Sequence, residues 1–195
     1  MKKSTLFFPF FTAFLIFAGS LMTTAFAQAQ TFRVGTNVIA VEAGLGTNVM
    51  PGVPGHHLPV VDVIYDRGLW NAGKGVISLG VYAGYGDYTS NSTQQPGGNV
   101  IEPVSVSFTT VGLRGAYHFA GWKVPNLDAY VGIQFAIEST ASGGYTDAQL
   151  NQDVLSVQFR PFFGARYFFL PYLGVIAEVG FNAYQFYDMG LAVKL

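Results

Sequence analysis

The stretch "LDAYVGIQFAIE" (127–138) decides how this chain is read. Leu127, Ala129, Val131, Ile133, Phe135 and Ile137 alternate with Asp128, Tyr130, Gly132, Gln134, Ala136 and Glu138. A period of two marks a strand with two unlike faces, because successive side chains leave an extended backbone on opposite sides. "VISLGVYAGYG" (76–86), "TVGLRGAYHF" (110–119) and "GVIAEVGFN" (174–182) repeat the pattern. Alternation also suits a soluble sandwich or a lipocalin-like barrel, so the non-aliphatic face has to discriminate. On a soluble sheet that face meets water and carries Lys, Glu, Thr and Arg. Here it carries glycine, alanine, tyrosine and isolated charges, which suits the inside of a narrow cylinder where glycine beside tyrosine fits large groups into a small cross-section. The aliphatic face is then left for lipid.

Composition points the same way. Charged residues make up 11% of the chain, less than half of the ~25% usual in soluble domains, while aromatics reach 16% and there are 24 glycines. Beyond the N-terminal segment no run approaches the ~20 apolar residues of a membrane helix, so a membrane location implies strands. Without cysteine there is no disulfide framework, thiolate metal site or lipid-modified cysteine anchor. Lys2 and Lys3 precede an apolar stretch from Leu6 to Ala18, and Ala25-Phe26-Ala27 follows. That is the pattern of a cleaved export signal over 1–27, extending at most to residue 29, with a barrel domain over 32–195. An uncleaved anchoring helix is disfavoured by Pro9 and by Ser20, Thr23 and Thr24. Removing two lysines leaves 10 − 2 = 8 basic and 11 acidic residues, a formal −3, with no basic block to attract nucleic acid.

The spacing predicts eight strands at about 34–46, 59–69, 74–88, 104–119, 127–139, 154–169, 173–182 and 186–195. Short connections (70–73, 120–126, 170–172) alternate with longer ones rich in Gly, Pro, Ser and Asn (47–58, 89–103, 139–153), and a compact link falls at 183–185. Short periplasmic turns, long outer loops and an even strand count describe an outer-membrane barrel with both termini on the periplasmic side. The final "MGLAVKL" (189–195) is expected to pair with the first strand, since hydrocarbon tolerates no open edge. The fold class is therefore all-β: an eight-stranded antiparallel up-and-down transmembrane β-barrel. Aromatic girdles are expected from Tyr65, Trp70, Tyr117, Phe119, Trp122, Tyr167, Phe169 and Tyr172 on the short-turn side. Tyr85, Tyr88, Phe159, Phe181, Tyr184 and Tyr187 would form the second girdle.

Asp188, Gly190, Val193 and Leu195 fit the C-terminal assembly signal of bacterial outer-membrane proteins, with Leu where many members end on Phe. With "GLRGAYHF" (112–119), "FFGARYFF" (162–169) and "GVIAEVGFNAYQFYDMGLAVKL" (174–195), the chain resembles small outer-membrane barrels of the OmpX/OmpA type, particularly those of Bacteroidota. The resemblance implies periplasmic chaperones and the barrel-assembly machinery as partners during biogenesis, a monomer in outer-membrane lipid and lipopolysaccharide, and no particular chemistry. No cell-wall-binding domain of the OmpA kind is expected after Leu195.

Seven charges fall on the inward face: Glu42, Asp62, Arg114, Glu138, Arg166, Glu178 and Lys194. Buried charges have to be paired, so a plugging network is expected, with Glu178 near Arg166; a narrow channel is the alternative. His118 is expected opposite Asp128, as a structural hydrogen bond. A lipid-deacylating barrel would need a serine beside the histidine, and the position two residues on is Ala120. His56-His57 lack companion ligands for a metal, and "GGYTDAQ" and "QPGGN" read as turns. These observations point to a non-enzymatic protein without cofactor, whose segments 47–58, 89–103 and 139–153 offer a surface for a ligand; a lipid-modifying enzyme is the remaining reading.

Overall fold

The computed structural model describes residues 31–45, 55–90, 93–94, 100–101, 105–120, 124–143, 153–180 and 187–195. The leader (1–27), most of the three long connections, the link at 183–185, and the girdle positions Trp122, Phe181 and Tyr184 lie outside the described residues. Among those described, eight strands form one closed antiparallel ring. They are β1 (Asn37–Leu45), β2 (Gly55–Ala72), β3 (Gly75–Ser90), β4 (Ser105–Phe119), β5 (Leu127–Gly143), β6 (Asp153–Phe168), β7 (Leu173–Gly180) and β8 (Tyr187–Lys194). Neighbours in sequence are neighbours in the ring, and β1 pairs with β8 from Val38↔Lys194 to Leu45↔Tyr187. A two-residue ribbon, Thr93–Gln94 with Val100–Ile101, stands apart.

The strands are longer than the sequence suggests. Residues 55–58, 89–90 and 139–143, read as loop from their Gly, His, Ser and Thr content, continue the ladders of β2, β3 and β5. His56 and His57 pair in backbone register with Thr89 and Tyr88. Composition failed there because a ladder already under way needs only backbone groups to continue, and Ser and Thr are acceptable strand residues. β2 to β6 run 15 to 18 residues, against 8 or 9 in β1, β7 and β8.

At the other end, β1 begins three residues later than the alternation implies. The segment Phe32–Thr36 instead folds across the short-turn mouth. The Gly35 amide donates to Gly68 O (2.9 Å), and the Gly68 amide donates to Thr36 O (2.9 Å). A β-bulge between Gly68 and Trp70 makes room for this crossing. A side chain at Gly68 would run into the Arg33 carbonyl and come within 3.1 Å of the Phe32 ring, so only glycine lets the segment lie this close. Phe32 is 3% exposed.

Side chains divide as the alternation requires, with the aliphatic set outside. Leu113 is 65% exposed, Phe135 57% and Ile133 54%, while Arg114, Gln134 and Glu138 on the opposite faces are buried. Of the aromatics assigned to girdles, Trp70, Phe119, Phe169, Tyr172, Tyr85, Phe159 and Tyr187 are exposed outside; Tyr88 departs from the expectation and is buried inside. Gly190 faces inward on β8, where a Cβ would collide with the Val41 carbonyl and come within 2.7 Å of Glu42 Cα on β1. Replacing Gly190 by Val is expected to prevent ring closure and abolish the unboiled, faster-migrating form on detergent gels, whereas Leu191→Val, facing outward, keeps it.

Candidate functional site

The interior charges come from alternate positions on seven of the eight strands, all but β3. Register sets which of them meet, because antiparallel pairing puts specific residues at one height. Asp66 lies between two guanidiniums: Arg114 Nε is 3.1 Å from Asp66 Oδ1, and Arg166 Nη2 pairs with Asp66 Oδ2. Arg114 also makes a two-pronged contact with Glu178, at 2.6 Å to Oε1 and 3.3 Å to Oε2. The Tyr130 hydroxyl donates to the same Glu178 Oε1 at 2.6 Å. The arginine planes are covered by rings, Arg114 over Phe162 at 4.2 Å and Arg166 over Tyr130 at 4.6 Å, which suits a weakly hydrated flat cation. Nearer the long connections, Arg160 pairs with Asp188, and Thr110 Oγ1 donates to Glu138 Oε2 at 3.4 Å.

A second group sits beneath, at the short-turn end. His118 Nδ1 is 2.8 Å from Asp128 Oδ1, and Ser78 Oγ is 2.9 Å from His118 Nε2. Asp128 also faces Arg166 Nη1 at 3.6 Å, which joins the two groups. Phe32 stacks flat on the imidazole, with centroids 3.7 Å apart and planes 10° apart. The registers are His118↔Tyr130 and Ser78↔Ala116, so His118 reaches Asp128 along β5 and does not stand directly opposite it.

Several expectations need revision against this geometry. Glu178 meets Arg114 and Tyr130, and Arg166 turns to Asp66 and Asp128. Lys194 is half-buried at the mouth, its ammonium 4.6 Å from the Phe168 ring. Glu42 is 2% exposed, and its Oε1 has no hydrogen-bond partner among the described residues; Asp62 and Glu138 are buried. Of the residues expected to form the assembly signal, Asp188 pairs with Arg160 and Gly190 lies at the seam, while Val193 and Leu195 face outward, placements compatible with that expectation. Asp66 and Arg160 were missed although parity marks them, lying four residues from Asp62 and six from Arg166 on the same strands. Ser78 was missed because only the β3–β4 register reveals it.

Ser78, His118 and Asp128 have the connectivity of a nucleophile, a base and an orienting carboxylate, which overturns the expectation that His118 lacks a serine. The arrangement nonetheless has features of a static relay. Ser78 is fully buried, Phe32 lies on the imidazole face, and the neighbouring amides belong to ladders rather than being aimed at a developing oxyanion. A fluorophosphonate probe is expected to leave Ser78 unlabelled in the folded protein. Among the described residues no group of three or more potential ligands is disposed to hold a metal. Because Asp66 joins both arginines, Asp66→Ala is expected to cost about 3–5 kcal/mol in urea unfolding from lipid vesicles by leaving buried charge uncompensated.

No protein-family model matches the sequence, and no curated protein matches it. Solved structures do. The N-terminal β-barrel domain of Pseudomonas aeruginosa OprF aligns over 84% of this chain and 98% of its own, at 11% identity and a TM-score of 0.50. A de novo designed transmembrane β-barrel aligns over 84% and 98%, at 20% identity and TM-score 0.42. Ail, the attachment invasion locus protein of Yersinia pestis, aligns over 83% and 95%, at 7% identity and TM-score 0.44. Identities this low speak to fold alone, and among these the OprF alignment carries the comparison. With its ring of eight antiparallel strands, the chain has the fold of a small outer-membrane β-barrel.

Proposed function

We propose that the protein is an integral outer-membrane barrel with a side-chain-filled lumen and no enzymatic role, acting through membrane structure and through ligand contacts on the long-connection side. One observation carries the reading: the exposed apolar positions form a belt of membrane height. From first to last, the outward apolar face runs over 77–85 on β3, 111–119 on β4 and 127–137 on β5, nine residues in the first two and eleven in the third. A tilted membrane strand needs ~9–11. Above the belt the outward positions of β3 and β4 turn polar, at Asp87 and Thr89 and at Ser105, Ser107 and Thr109, as does Ser139 on β5, whereas Leu155 opposite it on β6 stays apolar. Exposed aromatics mark its edges, as at a lipid–water boundary.

A narrow channel is a second reading, favoured by the acid excess inside. Seven buried carboxylates (Glu42, Asp62, Asp66, Asp128, Glu138, Glu178, Asp188) face three buried guanidiniums (Arg114, Arg160, Arg166), so any conduction through this lumen would select cations. The arginine bridges and Phe32 lie across that route, and an eight-stranded barrel leaves little open cross-section.

Two measurements on purified protein test these readings. Leu113→Arg, near mid-belt, is expected to cost ~2–4 kcal/mol of folding stability in vesicles, whereas Thr109→Arg, above the belt on the same strand, costs ~0–1. Equal costs would remove the membrane assignment. Planar bilayers are expected to show no steady conductance, and reproducible cation-selective steps would replace the filled lumen with the channel.

A further inference from the structure

The eight-stranded wall sorts charge between its ends. Among the described residues, the Lys and Arg side chains outside the ion-pair network are Arg33, Arg67, Lys74 and Lys194, and all stand at the short-turn end. Arg67 points outward from β2 between the lipid-facing Tyr65 and the exposed Trp70, and Lys74 sits in the β2–β3 turn. No described Asp or Glu side chain is exposed at this end; the carboxylates nearest it, Asp66 and Asp128, are buried in ion pairs. The opposite end has the reverse balance. The connections 46–54, 91–104, 144–152 and 181–186 contain no Lys or Arg, and Glu102 and Asp147 occur in them.

The cations are also placed for a headgroup rather than for bulk solvent. Arg33 and Lys194 line one groove of about 890 Å³ between the crossing segment, the β6–β7 turn and the end of β8. Phe169 and Leu170 form its apolar side, both exposed at the edge of the belt, and no Asp or Glu side chain lines it. Two cations above an apolar shelf match a phosphate joined to acyl chains, since phosphate takes the charge while the glycerol and first methylenes lie on Phe169 and Leu170.

Resting on the membrane-spanning reading, we infer that the short-turn rim is a cationic collar for the phosphates of anionic glycerophospholipids in the adjoining leaflet, with the Arg33–Lys194 groove as its best-formed seat. The collar would fix the depth of the barrel and its orientation, because the sequences of the long connections contain no Lys or Arg.

Native mass spectrometry of the full chain, released from vesicles of phosphatidylcholine mixed with phosphatidylglycerol, tests the collar. Wild type is expected to retain phosphatidylglycerol several-fold over phosphatidylcholine, with the preference falling as salt rises. R33Q/R67Q/K74Q, which leaves the lumen untouched, is expected to lose most of that preference. Lys194 also packs on Phe168, so K194Q is made separately and compared only after its heat-dependent gel shift shows a folded barrel; it is expected to weaken retention further. A wild-type barrel that inserts yet holds the two lipids equally overturns the collar while leaving the membrane reading intact. Undiminished preference in both variants overturns it as well. A chain that stays in the aqueous phase overturns both readings together.

Discussion

Ring closure is the constraint on which everything else depends. A bilayer offers backbone amides and carbonyls no water, and each one left unpaired costs several kcal/mol. An open sheet would leave β1 and β8 with a row of them, and pairing Val38–Leu45 with Tyr187–Lys194 removes both edges at once. Once the sheet is closed it has an inside and an outside, and the alternation of the sequence acquires a fixed meaning. Apolar side chains that would aggregate in water become the outer coat, and the charges become an enclosed core.

That core is held by hydrogen-bonded ion pairs beside a buried apolar cluster that includes Val38, Ile64, Val76 and Ile176. Arg114 and Arg166 each bring several donors into a space lined by Asp66, Asp128, Glu178 and Tyr130, and ring faces take up the remaining guanidinium surface. Burying charge this way is costly unless it is paired, and the bridges between strands meet most of that need while Glu42 Oε1 and Arg166 Nε stay buried without a hydrogen-bond partner among the described residues. The His118–Asp128–Ser78 relay extends the network to the mouth, where Phe32 closes it.

The fold was legible in the sequence because its signal is periodic. Leu127 to Glu138 declares two faces without help from any other part of the chain, and the residue types on the second face reveal that the barrel is inside out. The site was legible only in part, since parity tells which charges point inward and says nothing of height. Glu178 is expected near Arg166, and the register Gly164↔Glu178 does set the two diagonally, yet both reach across the lumen to pair with Arg114 and Asp66 on other strands. Ser78 is an ordinary small inward residue until the β3–β4 register sets it beside His118. Phe32 could not be anticipated at all, because a residue ahead of the first strand carries no periodicity.

The sequence separation across the seam bears on how the molecule assembles. β2 to β6 are joined hairpin to hairpin, so each finds a partner near in sequence and they can form a curved sheet early. The seam joins residues as far apart as Val38 and Lys194, a pairing whose chain entropy has to be met before any of its own hydrogen bonds are gained. It is therefore the last part of the ring to knit. Until then the half-built sheet carries two unsatisfied margins, each able to accept the complementary margin of a second copy in place of its own.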